Sequence, residues 1–227
     1  NGQEFTVPTE GNPTVINGAY GTLTVHADGS YSYQANPNTG GQSESFEFVI
    51  TDGDGDKSSA TVEVSIAAAE GPDPSVVGSV SVNEAGLTSE SDTSEFAEVT
   101  VDGYTIIEGG TGSYGKVHLV DGKWQYELTS TYGHTGEGAD TAQGADTVTI
   151  TVQDDLGNTF EVELKVDIVD DVPTISVGEA FEVESGATVE AAGQLKYAFG
   201  ADGAGSLTVN GQEFTVPTEG NPTVING

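Results

Sequence analysis

Apolar and polar residues alternate along most of the chain, and this period of two predicts half-buried β-strands. The clearest run is SESFEFVIT at 43–51, which an acidic loop at 52–56 separates from SSATVEVSI at 58–66. Alternation in the second run places Val62, Val64 and Ile66 on one face. No stretch shows a convincing helical period, so the chain is predicted to be all-β.

Two Asp-Gly pairs lie between alternating runs and predict β-hairpins. Asp28-Gly29 separates 20–26 from 30–34, and Asp121-Gly122 separates 114–120 from 123–128. The expected connection is a two-residue type I′ turn, which needs a positive φ at both central residues. Further strands are predicted at 77–82, twice within 95–107, and at 147–152, 159–168, 174–177, 180–184, 194–200 and 205–209.

Eighteen residues, NGQEFTVPTEGNPTVING, occupy positions 1–18 and return unchanged at 210–227. A match of this length predicts that the chain is a piece of a tandem array with a period of 209 residues. Repeat architectures have this signature, because each unit is defined by its place in a row.

Each period contains two related units. YGTLTVHADGSYSY is similar to YGKVHLVDGKWQY, and ITDGDGDKSSATVEVSI is similar to VQDDLGNTFEVELKVDI. Unit B, at 74–173, is predicted to be complete, whereas unit A is split into a C-terminal part at 1–73 and the N-terminal part of the next copy at 174–227. Proline-containing linkers follow at 67–74 and 169–173. Since each sheet has one apolar face, the simplest closure is two stacked sheets.

The charge balance narrows the range of functions. The chain has 37 acidic and five basic residues, with a net charge of −32 and no cysteine. Nucleic acid binding is excluded because it requires a basic patch, and contact with an anionic membrane is disfavoured for the same reason. Two interpretations of the carboxylates remain: a solvated acidic coat, or sites for a divalent cation such as Ca²⁺.

The strongest candidate cation site is the loop DGDGD, in which alternate carboxylates can turn toward one ion while glycines let the backbone curl. The corresponding loop of unit B has fewer charged residues, and both linkers carry further acidic residues. The candidate ligands are Asp52, Asp54 and Asp56; Asp154, Asp155 and Asn158; Asp167, Asp170 and Asp171; and Glu70 and Asp73. The competing interpretations are an acidic hairpin tip without an ion and solvated spacers. The three histidines lack metal-ligand spacing.

These ligands are expected to meet at junctions between units. The last strand of a sandwich runs from its acidic loop toward the following linker, so loop and linker lie at opposite ends. The loop 52–56 of one copy should therefore face 167–171 of the preceding copy, and Glu70 and Asp73 should face Asp154 and Asp155.

The combination of YGTLTVHADGSYSY, FVITDGDGD, SATVEVSI, FGADGAGSLTVNG and VDIVDDVP resembles the VCBS-type and type I secretion repeat modules of giant RTX adhesins. The resemblance covers nearly the whole chain. It implies Ig-like or cadherin-like β-sandwich units in tandem, Ca²⁺ at the junctions, type I secretion and an extracellular location on a bacterial surface. Such repeats act as extender domains that project an adhesive tip for cell adhesion and biofilm formation. The GGxGxD nonapeptide of RTX proteins is missing.

No catalytic arrangement stands out, so the chain is predicted not to be an enzyme. The alternative to an extender is a binding module that grips a glycan or a surface. The expected partners are neighbouring repeats, head to tail, and the complementary half-units of other copies. A half-unit cannot cover its own sheet edges or core, so residues 19–73 of one molecule are expected to pair with 174–227 of another.

Overall fold

The computed structural model describes residues 5, 8–73, 77–89, 91–136, 138–178, 182, 186 and 195–214. It divides into two compact units. The first comprises residues 1–73, 103–105 and 152–160, and the second comprises 74–102, 106–151 and 161–227. The domain boundary predicted at 173 lies inside the second compact unit and stays a prediction.

The described residues form sixteen strands and one short 3-10 helix, Glu84–Thr88. This confirms the all-β prediction. The strands are β1 (Thr14–Asn17), β2 (Gly21–Val25), β3 (Tyr31–Ala35), β4 (Ser43–Thr51), β5 (Lys57–Ser65), β6 (Ser79–Asn83), β7 (Phe96–Glu98), β8 (Thr105–Glu108), β9 (Gly115–Val120), β10 (Lys123–Leu128), β11 (Thr141–Gln153), β12 (Thr159–Val169), β13 (Thr174–Val177), β14 (Leu195–Ala198), β15 (Leu207–Val209) and β16 (Gln212–Phe214). The strand predicted at 180–184 falls outside the described residues, except for position 182.

Unit B contains two sheets, ordered β7-β10-β9 and β6-β12-β11-β8. Strand β10 pairs antiparallel with both β7 and β9, whereas β6 and β12 run parallel from Ser79↔Lys165 to Asn83↔Val169. The alternation seen in the sequence points one face of each strand inward. The inward side chains of both sheets form the core, in which the most deeply buried apolar residues are Tyr126, Leu128, Val148, Ile150, Leu164, Val166 and Ile168.

A carboxylate links the two sheets of unit B. Asp146 of β11 accepts a hydrogen bond from the Tyr126 hydroxyl of β10 at 2.8 Å. It also accepts the backbone N–H groups of Ser113, Tyr114 and Gly115 at 2.7, 3.0 and 3.1 Å. Burial acts to raise the pKa of Asp146, but these hydrogen bonds to the charged form hold it below its ordinary value. The carboxylate is therefore satisfied without water.

The C-terminal part of unit A repeats this carboxylate–tyrosine clamp. The Tyr33 hydroxyl donates to Glu44, which also accepts the N–H groups of Ala19 and Tyr20 at 2.8 and 3.2 Å. Desolvation, together with the hydrogen bond to the Glu44 carboxylate and its charge, raises the pKa of Tyr33 to about 12. The strands of this part of unit A form two separate sheets, β1-β2-β3 and β4-β5.

The two Asp-Gly hairpins differ in their turns. Asp121 and Gly122 have φ values of 49° and 80°, which confirms the type I′ turn. At Asp28-Gly29 the prediction was wrong, because only the glycine has a positive φ, at 82°. The His26 N–H donates to Ser30 O at 2.9 Å, so three residues form the loop, as in a type I turn with a glycine bulge. The additional residue is Ala27.

Candidate metal centre

The candidate metal centre lies at the end of β6. Asn83 caps the 3-10 helix through a hydrogen bond from the Ala85 N–H to its side chain at 2.7 Å. This turn places Glu84 inward, where the residue is 0% exposed. One of its carboxylate oxygens accepts the Tyr132 N–H. The other oxygen, Oε2, is buried and has no hydrogen-bond partner.

Three aspartates approach Glu84 from later parts of the chain. Asp170 follows β12 and is held by its N–H, which donates to Asp140 O at 2.9 Å. Asp171 accepts the Ala201 N–H at 3.0 Å, and this contact brings the turn that contains Asp202 toward the linker. Asp170 is 8% exposed, and its Oδ1 is also buried without a hydrogen-bond partner.

One carboxylate oxygen from each of Glu84, Asp170, Asp171 and Asp202 lies within 4.8 Å of the other three. We refer to these four residues as the linker cluster. Burial raises the pKa of Glu84, and the charges of Asp202 and Asp170 raise it further. Burial likewise raises the pKa of Asp170, with smaller contributions from Asp202, Asp140 and Asp171. Burial and the neighbouring carboxylates therefore oppose the ionisation of Glu84 and Asp170.

His134 lies beside the linker cluster. Its Nε2 is 3.7 Å from Glu84 Oε2, and its Nδ1 is 2.6 Å from Asp140 Oδ1. Its side chain is only 3% exposed. Glu84, His134 and Asp170 thus form a second set of possible ligand atoms within 4.8 Å. A hard cation would favour the oxygens of the linker cluster over this nitrogen.

The linker cluster has the chemistry of a Ca²⁺ centre. Ca²⁺ takes six to eight oxygen ligands and tolerates irregular geometry, so four carboxylates from three chain segments suit it. A divalent charge would satisfy the two orphaned oxygens and reverse the mutual repulsion of the acids. A cation bound here would tie the end of β6, the linker after β12 and the 200–203 turn together.

The structure brings together only some of the residues predicted to be ligands. Asp170 and Asp171 belong to the linker cluster, whereas Asp167 accepts the Gly144 N–H at 2.7 Å and lies in none of the acidic groups found among the described residues. Its carboxylate stabilises the start of β11. The predicted meeting of this linker with the 52–56 loop of another copy remains a prediction.

The DGDGD loop does gather Asp52, Asp54 and Asp56, whose oxygens approach within 4.8 Å and are all exposed. Asp52 Oδ1 accepts the N–H groups of Gly55 and Asp56 at 3.1 and 2.9 Å. A hydrogen-bond interaction between the Asp52 and Asp54 side chains, together with the hydrogen bond from the Asp56 N–H, holds the pKa of Asp52 below its ordinary value. The Asp52 carboxylate therefore already has a role in closing the turn.

The matching loop of unit B is also closed by its own side chains. Asp154 accepts the N–H of Asn158 at 2.8 Å and its side-chain amide at 2.8 Å. Within the first compact unit, the Asn158 side-chain oxygen accepts the Asn38 N–H at 2.9 Å. Over the described part of the chain, Asp154, Asp155, Glu70 and Asp73 join no group of three acidic or histidine ligands.

Sequence reasoning missed Glu84 and Asp202, although the chain contains a signal for both. Val77-Gly78 and Glu84-Ala-Gly86 recur 100 positions later as Val177-Gly178 and Glu184-Ser-Gly186. Asp102-Gly103 likewise recurs as Asp202-Gly203. The repetition of a glutamate and an Asp-Gly pair at corresponding places could have singled out Glu84 and Asp202 among the many acids.

Comparison with known proteins supports the fold. In the described part of the chain no helix has the length and apolarity needed to cross a membrane. No curated protein matches the sequence. Residues 1–68, which contain β1 to β5, match the family model of the bacterial cadherin-like domain. This part of the chain is therefore similar to a cadherin-like repeat, a kind of all-β domain that is typically structural.

Proposed function

We propose that the chain is a Ca²⁺-stabilised extender repeat of a secreted bacterial adhesin, which projects an adhesive tip away from the cell. The observation that carries this proposal is the linker cluster, in which two buried carboxylate oxygens lack hydrogen-bond partners. Burying a polar atom without a hydrogen-bond partner is costly, so such oxygens indicate a cation. The cadherin-like match supports an extracellular, adhesion-type setting.

Ca²⁺ at the linker cluster would set the stiffness of the connection. In its absence the four carboxylates repel one another and the linker can bend. When it is bound, the cation holds the linker and the 200–203 turn against the end of β6. Extracellular Ca²⁺ modules bind with Kd values of about 10⁻⁴ to 10⁻³ M. Such an affinity leaves the repeat unloaded inside a cell and loaded outside, where secretion would deliver it.

Thermal unfolding across a Ca²⁺ titration tests the proposal, with Mg²⁺ as the control cation. For a Kd of about 10⁻⁴ M, 10 mM Ca²⁺ stabilises the folded state by about 2.7 kcal/mol. This corresponds to a rise in Tm on the order of 10 °C for a domain of this size. Mg²⁺ should produce a smaller rise because it requires a compact octahedral site.

Matched variants locate the site. Glu84→Gln and Asp170→Asn should each remove most of the Ca²⁺-dependent rise, whereas the exposed strand variant Glu161→Gln should keep it. Asp54→Asn tests the hairpin tip separately. If Glu84→Gln responds to Ca²⁺ like the unmodified chain, the linker cluster is not the site. If no variant and no unmodified chain responds, the carboxylates act as a solvated coat, and retention on polysaccharide columns becomes the relevant measurement.

A further inference from the structure

His134 is a buried histidine that Ca²⁺ binding at the linker cluster does not use. Its side chain is 3% exposed, and its Nε2 has no hydrogen-bond partner among the described residues. Glu84 Oε2 and Asp170 Oδ1 are likewise buried without a partner in this part of the chain. One ligand atom from each of the three residues lies within 4.8 Å of the other two. We refer to Glu84, His134 and Asp170 as the histidine set.

The distance between His134 and Glu84 distinguishes three kinds of contact. Nε2 lies 3.7 Å from Glu84 Oε2. A hydrogen-bonded imidazolium–carboxylate pair would bring these atoms to about 2.8 Å. A bridging water would hold them about 4.6 Å apart, because two hydrogen bonds of about 2.8 Å meet at its tetrahedral angle. Two ligands of one tetrahedral Zn²⁺, each about 2.1 Å from the metal, are about 3.4 Å apart. The observed distance is closest to that of two ligands that share a metal ion.

The ring of His134 is already oriented for metal binding through Nε2. Its Nδ1 lies 2.6 Å from Asp140 Oδ1, and a carboxylate accepts hydrogen bonds, so Nδ1 carries the proton and Nε2 of the neutral ring carries a lone pair. Histidines that bind metals commonly donate their other N–H to a carboxylate in this way. The Asp140 carbonyl also accepts the Asp170 N–H at 2.9 Å. Tyr132 packs edge-on against the ring, with centroids 5.1 Å apart, and donates its N–H to Glu84. The members of the set are therefore held in place by their neighbours.

The donor types of the histidine set favour a softer cation than Ca²⁺. Imidazole nitrogen suits Zn²⁺, whereas Ca²⁺ prefers oxygen ligands. Zn²⁺ binds a set of one nitrogen and two carboxylate oxygens with a water in its fourth position. The histidine set shares Glu84 and Asp170 with the linker cluster. Both ions would therefore need the buried oxygens of the same two carboxylates, and two divalent charges so close together repel each other.

We propose that Zn²⁺ binds to the histidine set and thereby excludes Ca²⁺ from the linker cluster. Zn²⁺ binding follows from the contacts of the set alone, whereas the exclusion rests on the proposed Ca²⁺ function. Zn²⁺ would neutralise Glu84 and Asp170 without engaging Asp171 and Asp202. The 200–203 turn would then lack the cation that ties it to the linker. Zn²⁺ therefore releases a contact that Ca²⁺ makes.

Isothermal titration with ZnCl₂ in the absence of Ca²⁺ tests the site. His134→Gln should lower the Zn²⁺ affinity at least tenfold, whereas the matched variant His118→Gln should keep the affinity of the unmodified chain. His118 lies on β9 beside Glu127, so its replacement removes an imidazole without changing the histidine set. Weak binding by exposed carboxylates is common to all three chains. Equal Zn²⁺ affinities in His134→Gln and in the unmodified chain overturn the proposal.

Competition is measured by repeating the Zn²⁺ titration in 10 mM Ca²⁺. For a Ca²⁺ Kd of about 10⁻⁴ M, the apparent Zn²⁺ affinity should fall about 100-fold. Asp202→Asn removes a ligand that only Ca²⁺ uses, so this variant should show a smaller fall. A Zn²⁺ affinity that Ca²⁺ leaves unchanged, in a chain whose Tm rises with Ca²⁺, overturns the exclusion. If Tm does not respond to Ca²⁺, the proposed function fails instead, and the titration without Ca²⁺ still decides whether the histidine set binds Zn²⁺.

A second measurement decides the question if His134→Gln does not fold. The double variant His26→Gln/His118→Gln leaves His134 as the single histidine of the chain. With isotopically labelled histidine, Zn²⁺ should shift the Nε2 resonance of His134 more than its Nδ1 resonance, because Nδ1 stays bonded to Asp140. An Nε2 resonance that saturating Zn²⁺ leaves in place overturns the proposal.

Discussion

Replacing Tyr126 with phenylalanine would remove one hydroxyl group from the clamp that joins the sheets of unit B. The ring would stay in place, because its packing does not depend on the hydroxyl. Tyr126 is 0% exposed, so the lost hydrogen bond to Asp146 could not be replaced by bulk water. The substitution therefore isolates a single interaction.

The expected loss is that of a buried hydrogen bond to a charged acceptor. Such bonds contribute about 1.5–3 kcal/mol to the free energy of unfolding. Asp146 keeps its bonds from Ser113, Tyr114 and Gly115, which prevents a larger loss. With a urea m value of about 1–3 kcal/mol/M, the midpoint of unfolding should fall by about 1 M.

Trp124, the single tryptophan, lies on β10 two positions before Tyr126 and reports the unfolding of unit B by fluorescence. Tyr33→Phe is the matched control, because it removes the equivalent hydroxyl from the clamp in unit A. This variant should leave the unfolding transition followed by Trp124 fluorescence unchanged. A midpoint shift below about 0.3 M for Tyr126→Phe would show that the clamp contributes no more than a solvated hydrogen bond.

Two further predictions concern glycine packing and pH. Gly115→Ala would place a methyl group against Tyr126 and the Glu127 carbonyl. The free energy of unfolding reported by Trp124 fluorescence should therefore fall by about 1–3 kcal/mol. An unchanged midpoint would mean that the Tyr126 ring can move. Glu84 and Asp170 have raised pKa values. When a chelator is present, Tm should therefore fall as pH rises above 4.5 through those values, and added Ca²⁺ should abolish this fall. Asp146 has a lowered pKa, so its contribution to stability should be lost only in acid, below pH 3.8. A Tm that rises steadily with pH in the presence of chelator would refute the assigned effect of Glu84 and Asp170.

The strand pattern could be predicted from the sequence because it depends on local alternation. The run at 43–51 forms β4 with the predicted bounds, and 123–128 forms β10. The turn at Asp28-Gly29 could not be assigned by dipeptide alone, since one additional residue, Ala27, changes the loop. Likewise, the pattern within β11 did not reveal its N-terminal extension to Thr141, where polar residues continue the pairing.

The candidate site was harder to predict from the sequence because it depends on contacts between distant segments. The chain is so rich in acids that a carboxylate in a loop carries little information by itself. Asp52, Asp54 and Asp56 are adjacent in sequence, so their clustering could be anticipated. Glu84 becomes a candidate ligand only when the linker after β12 packs against the end of β6. Its burial, which distinguishes it from the exposed acids, cannot be read from composition.

The parallel pairing of β6 with β12 also determines how unit B responds to mechanical force. Tension applied through its two linkers pulls the start of one strand away from the end of the other, along the strand direction. The five registered residue pairs from Ser79↔Lys165 to Asn83↔Val169 are then loaded together in shear, and they do not open one at a time. An antiparallel pair pulled from adjacent ends would unzip at low force. Unit B is therefore built so that its first and last strands share the load of any drag that the chain carries.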